Sequence, residues 1–133
     1  MITQLNHIGI AVRSLEEHIE FYRDVLKLKF EGIETIPDQK VRTAIFKAGD
    51  VRIELLEPTD TGSPVNKFLD KKGEGLHHIA YQTDNIENEI KELKQSNIKM
   101  IDESPKPGAH NTSIAFLHPH STGRVLTEIC QHK

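Results

Sequence analysis

A single cysteine, Cys130, excludes an intrachain disulfide, and a small thiol in an apolar run reads first as a buried hydrophobe of a last strand. That economy fits a reducing, cytoplasmic setting. Tryptophan is absent, and no block of basic residues offsets the net charge of −3, so the electrostatic footprint of a nucleic-acid binder is missing. No apolar run approaches the roughly 20 residues a membrane span needs, and the N-terminus lacks the basic-then-apolar pattern of a secretory signal. At 133 residues the expectation is a single domain, 1–133, or two small modules sharing a core.

What the chain does contain is one unit written twice. Leu5 to Val12 reads Leu-Asn-His-Ile-Gly-Ile-Ala-Val, and Leu76 to Thr83 reads Leu-His-His-Ile-Ala-Tyr-Gln-Thr. Laying His78 on His7 gives an offset of 71 residues; Glu128 in Val-Leu-Thr-Glu-Ile lies on Glu54 in Val-Arg-Ile-Glu-Leu at an offset of 74. Each copy thus carries a histidine near its start and a glutamate near its end.

Within the first copy, the Ile- and Val-rich alternation of residues 5–12 predicts a strand. Ser14-Leu-Glu-Glu17 reads as a capping box, and Leu15, Ile19, Tyr22 and Leu26 at helical spacing predict an amphipathic helix over 15–27. Three β-type runs follow, at about 28–36, 41–48 and 51–57, the last two joined by an Ala48-Gly49-Asp50 turn. A connector, 59–73, holds a short helix opened by Ser63-Pro64 and closed by Lys71-Lys72-Gly73. The second copy repeats the order: a strand over 76–83, a helix capped by Asp84 or Asn85 with Ile86, Ile90 and Leu93 on one face, and strands near 98–103, 112–117 and 124–130. The loops Ser104–Asn111 and His118–Gly123 are candidate functional rims. The expected fold is therefore α+β, with βαβββ modules 1–58 and 74–133 forming an incomplete barrel around a metal site.

The metal follows from cost. A glutamate inside Arg52-Ile-Glu-Leu-Leu56 or Leu126-Thr-Glu-Ile129 is expensive to bury without a partner. If the repeats face one cavity, His7, Glu54, His78 and Glu128 converge, and two imidazoles with two carboxylates are a donor set for one divalent ion. His77 competes with His78, but adjacent strand residues point to opposite faces, and the repeat alignment selects His78. Cobalt, zinc, manganese and nickel all accept this donor set.

With those residues in place, the chain resembles the vicinal-oxygen-chelate (glyoxalase/bleomycin resistance) superfamily, and within it is most similar to the methylmalonyl-CoA epimerases. The matching segments are His7-Ile-Gly-Ile-Ala-Val12, Arg52-Ile-Glu-Leu-Leu-Glu-Pro58, Gly73-Glu-Gly-Leu-His-His-Ile-Ala80, and Phe116-Leu-His-Pro-His-Ser-Thr-Gly123 followed by Val125-Leu-Thr-Glu128. The resemblance implies metal ligands at His7, Glu54, His78 and Glu128, an acyl-CoA substrate, a homodimer, and epimerisation at C2 of a methylmalonyl thioester through a metal-stabilised enolate. Some relatives place a catalytic glutamate where this chain has Thr43, which cannot act as a base at neutral pH. Glu128 is then the first candidate for proton transfer and Glu103 the second. His118, Ser121 and Thr122 are candidates to hold the substrate carboxylate, and Lys71, Lys72 and Lys106 to meet CoA phosphates.

The nearest alternative is a glyoxalase I-type lyase acting on a glutathione or other thiol hemithioacetal with the same four ligands. A ring-cleaving dioxygenase uses two histidines and one carboxylate and leaves a site for oxygen, which a fourth protein ligand disfavours. A metal-free drug-binding protein of the same fold favours aromatic walls, and only 5% of this chain is aromatic.

Overall fold

Alternating side chains define the strands, and the computed structural model describes all 133 residues. The elements run β1 (Ile2–Ala11), α1 (Glu16–Glu20), β2 (Lys29–Ile36), β3 (Val41–Ala48), β4 (Val51–Pro58), α2 (Pro64–Lys72), β5 (Gly75–Thr83), α3 (Ile86–Gln95), β6 (Lys106–Gly108), β7 (Thr112–Leu117) and β8 (Thr127–His132). The chain is α+β and built from two βαβββ modules in tandem. No helix is long and apolar enough to cross a membrane.

Contacts divide the residues into two compact units: a first, His7–His77, and a second made of Met1–Asn6 and His78–Lys133. β1 therefore lends its opening residues to the second unit, where the Asn6 amide donates to Gln82 Oε1 at 3.0 Å and lies 2.9 Å from His132 Nε2. In the first unit the strand order is β2-β3-β4-β1, antiparallel except for the parallel β1–β4 pair. In the second it is β5-β8-β7-β6, with β5 and β8 parallel.

Two apolar clusters hold the helices. Val12, Leu15, Ile19, Ala44, Phe46 and Leu55 form the first-unit core, in which the Phe46 ring meets Tyr22 at 5.4 Å and Phe30 at 5.1 Å. Ile86 and Ile90 of α3 pack on Met100, Ala115, Leu117 and Ile129 in the second. Helix starts follow local chemistry where a cap is present: Ser63 accepts from the Val65 amide at 3.2 Å, and Asn85, rather than Asp84, accepts from the Asn88 amide at 3.0 Å.

Three expectations need correction. The Ser14 capping box does not form; the Ser14 hydroxyl turns to Glu16 at 3.4 Å, and the Leu15 amide donates instead to Glu57 of β4 at 3.0 Å. A cap supplied from 42 residues away leaves no local signature. The helix expected over 15–27 is α-helical only to Glu20 and widens into a π-helical turn, Phe21–Val25, closed by the Leu26 amide on the Phe21 carbonyl at 2.9 Å. The wider turn shifts the helical phase, so Tyr22 packs on Phe46 while Phe21, Val25 and Leu26 stay exposed. Finally, residues 98–103 are not a strand. Only Met100 bridges to Leu117, because the Ile101 and Asp102 amides both converge on the Phe116 carbonyl and the Asp102 carboxylate takes the Phe116 amide at 2.9 Å. The second strand of that module is the short β6, inside what reads in sequence as a loop. Pro107 is tolerated there because β6 is an edge.

Candidate metal centre

Each unit contains one buried histidine–glutamate pair, and the two pairs are built alike. In the first unit, parallel pairing sets Gly9 of β1 against Glu54 of β4, two residues beyond His7. His7 Nδ1 lies 3.4 Å from Glu54 Oε2, both side chains at most 7% exposed. In the second unit, Ala80 of β5 sits against Glu128 of β8, again two residues beyond the histidine. His78 Nε2 lies 3.3 Å from Glu128 Oε1, with the side chains 5% and 3% exposed. The residue opposite each glutamate is glycine or alanine, which leaves space for the carboxylate over the partner strand.

The Phe116 ring, directly across from Glu128 on β7, meets His78 edge-on at 5.3 Å and helps fix its orientation. His77 points away from this pair and packs edge-on against Phe68 at 5.0 Å. The choice between neighbouring histidines is thus made by strand alternation.

Cys130 is fully buried in the cluster with Ala80, Ile114 and Phe116, as a small hydrophobe would be. It also shares the face of Glu128, two residues away on β8, and its sulfur lies within 4.8 Å of a Glu128 carboxylate oxygen. Sequence reasoning gave this thiol no chemical part. The signal available was its i, i+2 spacing from the glutamate.

The remaining candidates lie elsewhere. Glu103 is outside the buried pair: its side chain is 78% exposed and bound to Lys94 Nζ at 2.8 Å, and that hydrogen bond holds its carboxyl below the usual range. His118 Nδ1 accepts from the His120 amide at 3.0 Å, Ser121 Oγ accepts from the Lys99 amide at 3.0 Å, and the Thr122 hydroxyl donates to the Val125 carbonyl. All three shape the rim loop. Lys106 pairs with Asp102 at 3.1 Å and lies over the Phe116 ring, while Lys72 lies over Phe68. Thr43 is 1% exposed on β3, on the same sheet face as Glu54. Its hydroxyl has no acid–base capacity near neutrality, so Thr43→Ala is expected to leave turnover nearly unchanged. A loss of about 100-fold, the size of a general acid–base contribution, would assign Thr43 a part in proton transfer.

The donor chemistry suits a divalent ion. Each buried histidine–glutamate pair offers one imidazole nitrogen and one carboxylate oxygen, donor types that divalent ions take. The 3.3 and 3.4 Å nitrogen–oxygen separations are long for a hydrogen bond between such groups.

The chain belongs to the glyoxalase/bleomycin resistance protein/dioxygenase superfamily, whose sequence pattern matches residues 6–116. Among individual proteins it is 44% identical over 132 residues to the uncharacterized protein YqjC of Bacillus subtilis, covering 99% of this chain and 94% of that one. It is 37% identical over 129 residues to the mitochondrial methylmalonyl-CoA epimerase of Mus musculus, covering 96% of this chain and 72% of the relative. A solved methylmalonyl-CoA epimerase in complex with methylmalonyl-CoA and NH4+ superposes with a TM-score of 0.95 at 34% identity, covering 99% of this chain and 96% of that one.

Proposed function

We propose that the protein epimerises C2 of a methylmalonyl thioester, with His7, Glu54, His78 and Glu128 as the ligands of one divalent metal. The observation that carries this reading is the repeated pair: two imidazole–carboxylate couples, buried alike and set in the same strand register in both units. The epimerase relatives, which match nearly the whole of this chain, support the substrate class.

Carbon 2 of such a substrate lies between a thioester carbonyl and a carboxylate, so its proton is acidic once charge can spread into the carbonyl. A divalent ion supplies Lewis-acid charge beside those oxygens when bound. Glu128, at the edge of the ligand set, is assigned one proton transfer. Burial around His78 and Phe116 keeps water from competing for the C2 proton. The rim loop held by His118, Ser121 and Thr122 is assigned to the substrate carboxylate.

The test is incubation of metal-supplemented protein with each methylmalonyl-CoA epimer in D2O. Deuterium at C2 and conversion of either epimer to the mixture are expected. Absence of both, or preferential turnover of methylglyoxal with a thiol, overturns the assignment.

A further inference from the structure

The π-helical turn that follows α1 exposes three large apolar side chains within six residues: Phe21 is 49% exposed, Val25 64% and Leu26 50%. The wide turn is what gathers them. An unbroken α-helix, turning about 100° per residue, would carry Leu26 about 140° around from Phe21. Here the Leu26 amide closes on the Phe21 carbonyl at 2.9 Å, from i to i+5, so the two residues stand one turn apart on one side with Val25 between them in sequence. Tyr22 is held against Phe46 at 5.4 Å and meets Phe21 edge-on at 5.1 Å, which ties the patch to the first-unit core.

The same stretch is complementary to itself. Glu20-Phe-Tyr-Arg-Asp-Val-Leu-Lys27, laid against its own reverse, sets Glu20 against Lys27, Phe21 against Leu26, Tyr22 against Val25 and Arg23 against Asp24. Each acid meets a base, and each aromatic ring meets an aliphatic side chain. All of these residues except the half-buried Tyr22 are exposed. Lys27 keeps its charge in this pattern at φ 60°, a helix-end conformation that glycine or asparagine adopts with less strain.

A twofold axis relating two antiparallel copies performs that reversal, because an isologous contact sets residue i on j and j on i. The charge pattern decides between occupants. A lipid surface favours basic residues around an apolar centre, whereas this patch is acidic at one end and basic at the other. An apolar centre with a charged rim of both signs is the anatomy of a protein contact, and the chain itself carries the complement.

We propose that the turn Phe21–Val25 with its flanking residues docks on the same turn of a second copy of this chain, antiparallel, about a twofold axis between Arg23 and Asp24. Within one copy Arg23 grips Asp24 through two bonds of 2.9 Å; across the axis the two ion pairs lie head to tail, and each guanidinium gains a second carboxylate. A contact one turn wide falls at the small end of specific interfaces, below roughly 1,200 Å² in total, so the association is reversible. It is independent of the epimerase reading: α1 packs on Ala44 and Phe46, and the His7–Glu54 pair lies on the other face of β3, with Ile45.

The test is sedimentation equilibrium of the full chain from low micromolar to submillimolar concentration, with the melting temperature of each variant recorded. Wild type is expected to pass from monomer to dimer. Glu20→Lys and Lys27→Glu each bring like charges together at both ends of the contact, and each is expected to weaken association by about 10-fold or more. Val25→Glu is expected to abolish it with melting unchanged, since the position is exposed. An equimolar mixture of the Glu20→Lys and Lys27→Glu chains, or one chain carrying both changes, again sets opposite charges together at both ends and is expected to recover wild-type association. Wild type that stays monomeric overturns the proposal, as do dimers indifferent to all three single changes. Failure of both the mixture and the double variant to recover overturns the antiparallel register on which it rests. Monomers that bind phosphatidylserine vesicles through Val25 give the patch to a membrane and overturn it as well.

Discussion

Metal-loaded wild-type protein is expected to melt on the order of 10 °C above the chelator-treated protein, and His78→Ala or Glu128→Ala is expected to abolish that shift together with metal content and turnover. An ion at about 1,000 times its dissociation constant adds about 4 kcal/mol to the folded state, and each kcal/mol moves the midpoint of a chain this size by about 2–8 °C. Alanine at either position removes one donor from a pair whose side chains are at most 5% exposed. The affinity loss should therefore exceed the roughly 10–100-fold that losing a supporting partner of a ligand costs. Because the first-unit pair has the same register and burial, His7→Ala and Glu54→Ala are expected to behave the same way. Glu54→Gln keeps an oxygen donor and is expected to bind more weakly without losing the ion. A variant lacking His78 or Glu128 that retains wild-type metal by elemental analysis would refute the ligand assignment, and it would do so without reference to any substrate.

The pairs were legible in sequence because a repeat puts equivalent residues at equivalent strand positions. The offsets of 71 and 74 residues are also what the register reproduces: each glutamate faces the residue two beyond its histidine. Strand faces were legible for the same reason, since period-two alternation is fixed by the backbone. What was hidden depends on distant partners. The cap on α1 comes from Glu57, and the broken strand at 98–103 comes from Asp102 competing for the Phe116 amide. In each case the local pattern is compatible with the wrong answer, and a contact made elsewhere chooses. Glu103 shows the converse: an acidic residue in a suggestive segment is claimed by Lys94 at the surface.

Phe46→Ala is expected to be the most damaging single truncation of the scaffold, at about 3–5 kcal/mol. The ring has no exposed surface and lies between Tyr22 and Phe30 at 5.4 and 5.1 Å, so its loss opens a cavity and removes two aromatic contacts at once. Against a total stability of about 5–15 kcal/mol, that should lower the melting midpoint by about 10–20 °C. Phe46→Leu refills most of the volume and is expected to cost about 1–2 kcal/mol. The direction of the ring matters for function. Phe46 faces the helix, while its neighbour Ile45, opposite Glu54, faces the histidine–glutamate pair. Below its lowered midpoint, Phe46→Ala should therefore bind metal with the wild-type stoichiometry. Chemical denaturation followed by metal titration at low temperature separates the two effects. A stability change below about 1 kcal/mol would mean that the first-unit core is organised around some other side chain. Intact folding with lost metal would mean that the two faces of β3 are coupled, so that the helix side tunes the ligand side.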